Sequence, residues 1–265
     1  MNLDRCLAGL RRAEEDRKDL YEELVRWKDS DSYVVTPRVN AERTRHSLVV
    51  HLKRPLPGEQ LSLLAGNCIH SLRSSLDHLV YDLAVHATKS DPPPAERTLQ
   101  FPILDSAERF EAACARGQLS GLSTATMAAI ESAQPYVRTH AALPPLLGLL
   151  RDFDDANTHG RLVVVSSGHV QSDINEAIRI PPSSSLGIEF NDGPIDDGTE
   201  VLLVTSGVPR PDMRLDVSVT FAVAIMHPPG PSGVSVSGLF AVLSMIRNEV
   251  HFVIRQAVTA AQSGS

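Results

Sequence analysis

The sequence predicts an α+β fold: a helical bundle with an antiparallel β-rich lobe inserted before the C-terminal helix. Three observations carry that expectation. Apolar residues recur at three- and four-residue steps in the 3–29, 59–86 and 236–260 stretches, the spacing of amphipathic helices. Between about residues 162 and 226 the period changes to two, in short β-branched runs bounded by Gly, Pro, Asp or Ser. The breakers Asp91-Pro92-Pro93-Pro94 and Pro228-Pro229-Gly230-Pro231 separate these regimes. The expected organisation is a bundle over 1–160 with a small N-terminal β-hairpin, a β-rich lobe over 161–228, and a helix over 236–260 returning to the bundle.

In the first helix, Leu3, Leu7, Leu10, Leu20, Leu24 and Trp27 form one apolar stripe among Arg, Glu, Asp and Lys, ending near Asp29-Ser30-Asp31. Tyr33-Val34-Val35 and Ser47-Leu48-Val49-Val50-His51-Leu52 read as two short strands around a polar turn at 39–44. Pro55-Leu56-Pro57-Gly58 ends the second, and Glu59 opens a long helix that should run to about His86. Thr98-Leu99-Gln100-Phe101-Pro102-Ile103 is a short extended piece. Ser106 and Ser123 are placed as N-caps for helices over about 107–115 and up to Gln134. Pro144 and Pro145 open a further helix to about Ala156, followed by a strand over 162–165. Ile178-Arg179-Ile180, Leu186 to Phe190, Val201 to Val204 and the alternating Leu215 to Val223 supply the β lobe. Leu239, Val242, Leu243, Ile246, Val250, Val253 and Ile254 form the inward stripe of the last helix.

Composition narrows the function classes. A chain of 265 residues, 42% hydrophobic and 22% charged, has the make-up of an ordinary globular protein. The net charge of −7 argues against a broad basic surface, so no DNA partner is expected. Cys6, Cys68 and Cys114 are odd in number and lack metal-ligand spacing, which points away from a disulfide framework and towards a reducing compartment. No apolar run reaches the roughly 18 residues of a bilayer span. The N-terminus lacks the basic-then-apolar order of a signal peptide, so a cytoplasmic location is expected.

The long central helix has an unusual outer side. Ile69, Leu72, Leu76, Leu79, Val80 and Leu83 fill an arc of about 120°, and Asn67, His70, Arg73, Ser74, Asp77, His78 and Tyr81 occupy the opposite half. A plain solvated face is usually built from Lys and Glu. Short-range hydrogen-bonding groups in their place suit either a second contact surface or a face that binds or transforms a ligand, and the sequence leaves both open. Within it, Arg73-Ser74-Ser75-Leu76-Asp77-His78 sets four residues between an Arg and a His. This R-x4-H spacing resembles the motif of HEPN domains, a helical-bundle family that includes RNase toxins and nucleotide-modified antitoxin partners. The resemblance implies that Arg73 stabilises a phosphate and His78 moves the proton at an attacking 2′-hydroxyl. It also implies an RNA partner, a homodimer that joins two motifs, and no metal or other cofactor. Arg247-Asn248-Glu249-Val250-His251 is a shorter match, outside the usual spacing.

Residues 64–84, 98–103, 130–136 and 155–161 are together similar to a family of bacterial proteins without an assigned activity. Its last segment usually reads Asp, Lys, His, Arg; here Asn157, Thr158, His159 and Gly160 stand there, with Arg161 displaced by one. The candidate binding residues are therefore Asn67, His70, Asp77, Tyr81, His159 and Arg161. His159 has a second explanation, because a His in a last helical turn interacts favourably with the helix dipole. Asp154 and Asp155 read as a solvated helix end.

Other chemistries lack their signatures. There is no HExxH, no Cys pair and no compact His-Asp cluster for a metal, and no Gly-rich phosphate loop after a strand. Ser74 and Ser75 lie inside a helix rather than on a strand-to-helix elbow, which argues against a serine hydrolase. Three readings follow: a metal-independent endoribonuclease using Arg73 and His78; a non-catalytic interaction protein whose polar helix face is an interface; and a small-ligand or nucleotide pocket expected between the bundle and the β lobe, lined by His70, Asp77, Tyr81 and His159.

Overall fold

The computed structural model describes residues 1–138, 145–160, 162–171, 186–191, 193–215, 218–226 and 238–263. Among these, six α-helices and six strands form an α+β structure. The helices are α1 (Asp4–Asp29), α2 (Gly58–Thr88), α3 (Ala107–Ala115), α4 (Thr124–Glu131), α5 (Leu146–Thr158) and α6 (Leu239–Ser263). The strands are β1 (Tyr33–Val39), β2 (Arg45–Leu52), β3 (Val163–Gln171), β4 (Leu186–Phe190), β5 (Glu200–Ser206) and β6 (Ser218–Met226). Two compact units result, one of Met1–Tyr21, Ser62–Val163 and Met226–Ser265, the other of Glu22–Leu61 and Val164–Ile225.

The first unit is helical, and its core follows the predicted stripes. Ile69, Leu72, Leu76, Leu79, Val80 and Leu83 of α2 are all buried, as are Leu239, Val242, Leu243, Ile246, Val250, Val253 and Ile254 of α6. α4 and α5 both pack on α6. α1 runs antiparallel to α2, since Cys6 lies by Asp82 while Asp16 lies by Ser71. The crossing is close at Gly9, where an added Cβ would fall on Ser75 Oγ and press on Ser71 O. Both expected serine caps are present: Ser106 Oγ accepts from Arg109 N at 3.4 Å and Ser123 Oγ from Thr126 N at 3.2 Å.

The second unit holds a four-stranded antiparallel sheet in the order β1-β2-β5-β4, and β3 with β6 forms a separate two-stranded sheet. This corrects the predicted domain plan. The N-terminal hairpin does not belong to the bundle: β2 pairs with β5, placing Arg45 opposite Thr205 and Leu48 opposite Leu202. The physical reason is that β2 is an interior strand, buried from His46 through Val50, and needs a ladder partner on each side. A bulge between Leu48 and Val49 shifts the register. The hairpin turn is held by Asn40, whose Oδ1 accepts from Thr44 N at 2.8 Å and Arg45 N at 2.9 Å. The end of α1 is fixed to the hairpin by Trp27, which stacks on Tyr33 and donates Nε1–H to Pro55 O at 2.9 Å.

Helix ends differ from expectation by a few residues: α2 extends to Thr88, α5 to Thr158, and α6 begins at Leu239 rather than 236. The strand expected at 162–165 extends to Gln171. Of the long alternating run at 215–223, Ser218 onward belongs to β6. The expected strand at Ile178-Arg179-Ile180 and the breaker at 228–231 lie outside the described residues.

Candidate functional site

Arg73 and Asp77 stand one turn apart on α2, and both are turned onto the chain segment after the proline breaker. Arg73 Nη2 donates to Phe101 O at 2.9 Å, while Asp77 Oδ1 accepts from Phe101 N at 2.8 Å. Arg73 Nη1 also pairs with Asp77 Oδ1 at 3.0 Å. Only 12% of the Arg73 side chain is exposed, against 35% for Asp77. Burial pushes the Asp77 carboxyl up, and the charge of Arg73, the Phe101 N–H and His78 bring it partly back. The buried Gln134 completes the arrangement: Nε2 donates to Pro102 O at 2.9 Å, and Oε1 accepts from Leu104 N at 3.0 Å. Residues 101–104 thus satisfy their backbone through side chains instead of a sheet. Of the two alternatives left open for the polar arc, Arg73 takes the contact surface, because its guanidinium is engaged within the chain.

His78 is exposed and holds no hydrogen bond among the described residues; its charge acts on Asp77 and Asp82. Five residues along an α-helix correspond to about 500°, leaving Arg73 and His78 about 140° apart around α2. One copy of the chain therefore does not bring them to a common point. The shorter match on α6 is also divided: Arg247 Nη1 donates to Asn248 Oδ1 at 3.3 Å and Nε lies 3.9 Å from Glu14, while His251 is exposed.

The groups that do converge lie between α2 and α5. His70 Nδ1 is 3.4 Å from Asp154 Oδ1, and Ser74 Oγ is 3.4 Å from His70 Nε2. His70 is 66% exposed, whereas Asp154 is only 20% exposed, so Asp154 is not the solvated helix end expected. Gly66 allows this approach, since any Cβ there would fall on the Asn157 amide, whose Nδ2 donates to Gly66 O at 3.4 Å. Ser74, His70 and Asp154 have the order of a nucleophile, base and orienting acid. Ser74, however, sits mid-helix, where backbone N–H groups are engaged in the helical ladder and form no oxyanion donor pair. The i,i+4 spacing of His70 and Ser74 was visible in the sequence; the role of Asp154 was not.

The remaining candidates are spread out. Asn67 is exposed on α2. His159 caps α5, and its Nε2 lies 3.4 Å from Asp155 Oδ1 at the helix end. Tyr81 donates to Asp91 Oδ1 at 2.8 Å beneath the Arg5 guanidinium, about 16 Å along α2 from His70. It therefore does not share a pocket wall with His70. Arg161 lies outside the described residues.

Two further acids lie in the α1–α2 contact. Asp16 is fully buried and pairs with Arg12 at 2.8 Å, and Asp82 is 6% exposed beside Arg5. Burial raises both carboxyls above the ordinary range and pushes the Cys6 and Cys68 thiols up to about 12, so these thiols are poor nucleophiles. Among the described residues no group of His, Cys, Asp and Glu is arranged to hold a metal, and no helix is long and apolar enough to cross a membrane. Cavities of about 350 Å³ beside the end of α2 and about 430 Å³ on α6 are lined by neither Arg73 nor His78. Compared with protein-family models, curated proteins and solved structures, the chain matches none of them.

Proposed function

We propose that this chain is a non-catalytic binding protein whose α2–α5 corner, around His70, Ser74, Asp154 and His159, is a ligand or subunit interface. The observation that carries this reading is the engagement of Arg73 with Asp77 and the Phe101 peptide. A phosphate arriving at Arg73 meets a guanidinium already neutralised by a carboxylate and held by a carbonyl. The acidic balance of −7 adds repulsion towards RNA. His70 and His159 offer the opposite: imidazoles at 66% and 60% exposure, each placed by an aspartate and open to a partner. The endoribonuclease reading, a HEPN-like homodimer using Arg73 and His78, retains one supporting observation, the exposed His78 with no hydrogen bond among the described residues.

One pair of measurements separates the readings. Purified protein is incubated with single-stranded RNA in EDTA, beside His78→Ala, and the wild type and His70→Ala are compared by sedimentation velocity. No turnover in either RNA reaction, with assembly weakened in His70→Ala, is the expected result. Metal-independent cleavage that disappears in His78→Ala overturns the binding reading and restores the ribonuclease.

A further inference from the structure

The cavity beside the end of α2 is separate from the α2–α5 corner and has its own chemistry. Its volume of about 350 Å³ is in the range of small-molecule sites. Leu83 and Ala87 of α2, Leu122 of the turn before α4 and Ala261 of α6 supply apolar wall. Its polar groups are His86, Lys89, Ser123 and Thr126, with no carboxylate side chain among the lining residues. Lys89 terminates α2 in a left-handed conformation, φ 58°, with its N–H bonded to Val85 O at 2.9 Å.

The two hydroxyls are the informative pair. Ser123 Oγ and Thr126 Oγ1 are 2.9 Å apart, and Thr126 is only 1% exposed. Ser123 Oγ also accepts from Thr126 N at 3.2 Å. Thr126 is the buried member, so its O–H donates to Ser123 Oγ, and the half-buried Ser123 keeps its own O–H at the cavity wall. A ligand carboxylate oxygen can accept from that hydroxyl in place of water. Burial and the Lys89 charge also hold the His86 pKa below its ordinary value, in keeping with a positive local field.

We infer that this cavity binds a small amphipathic anion, a carboxylate on a medium-length alkyl chain. The head group accepts from the spare hydroxyl and lies by the Lys89 ammonium, and the chain covers Leu83, Ala87, Leu122 and Ala261. A cationic head fails on both counts, having no lone pair for the hydroxyl and a repulsive neighbour in Lys89.

The test is isothermal titration calorimetry on the full chain with octanoate, octylamine and octanol as probes, below their aggregation concentrations. Octanoate is expected to bind one site with a sub-millimolar Kd, octanol at least several-fold more weakly, and octylamine not at all. Lys89→Gln, a surface change that preserves the fold, should weaken octanoate by about fivefold or more while leaving octanol unchanged. Ala261→Leu, which fills the cavity, should abolish both, with circular dichroism confirming a folded chain. Absence of octanoate binding, equal binding of octylamine, or octanoate affinity unmoved by Lys89→Gln would each overturn the inference.

Discussion

Removing the Arg73 side chain tests the clamp on residues 101–104 more sharply than any other single change. Arg73→Ala loses the charge-assisted bond to Phe101 O, a contribution of about 1.5–3 kcal/mol. It also leaves Asp77, with its side chain 35% exposed, without its cationic partner. Water covers part of that carboxylate, so this second loss is discounted to about 1 kcal/mol. The sum is about 3 kcal/mol, and for a chain of this size Tm should fall by about 6–12 °C. Urea melts followed by circular dichroism measure the first figure, and a thermal melt the second. The pH dependence gives an independent check. Burial already raises the folded Asp77 carboxyl, and removing Arg73 removes a charge that lowers it. The native variant then holds the Asp77 proton more tightly than the unfolded chain does. That contribution is full below the ordinary carboxylate pKa and is lost as pH rises through the folded value. The penalty of Arg73→Ala should therefore be larger at pH 7 than at pH 4. Arg73→Lys should fall between, because a single ammonium does not reproduce the two-pronged contact. A loss below about 0.5 kcal/mol, or an equal loss at both pH values, would refute the reasoning.

Two more outcomes follow from the α1–α2 contact. The raised Asp16 carboxyl contributes stability that is full below the ordinary carboxylate pKa and declines as pH rises through its folded value. Asp16→Asn has no such decline, so the stability of the variant minus that of the wild type should increase from pH 3 to pH 7 in paired urea melts; a flat difference contradicts the burial argument. Gly9→Ala should destabilise by about 1–2 kcal/mol, the overpacking against Ser75 and Ser71 exceeding a helix-propensity gain of about 1 kcal/mol. An exposed helical glycine would show the opposite sign, so a rise in Tm would place Gly9 away from α2.

Much of the helical framework was legible because burial imposes a period on one chain segment. The stripes of α2 and α6, and the Ser106 and Ser123 caps, are local patterns that packing did not override. The partner of β2 was not legible, because Leu48 and Leu202 meet across a separation that no local window spans. The clamp was hidden for a different reason. Arg73 and Asp77 sit on the polar arc whatever they bond, and no local pattern ties them to the Phe101 peptide 24 or more residues away. The polar arc was correctly located in sequence yet joins no single site: Arg73 faces Phe101, His70 faces Asp154, and Tyr81 faces Asp91.

The antiparallel ladder between β2 and β5 bears on how this protein is made. On the ribosome, the hairpin emerges more than a hundred residues before the strand that covers its inner edge, and α6 arrives later still. Neither half of the structure can be released by cutting the backbone once, because each unit is assembled from separated pieces of chain. A fragment ending near residue 160 would leave Val49 and Val50 on an open, aggregation-prone edge, so expression trials that trim this protein from its C-terminal side should give insoluble material.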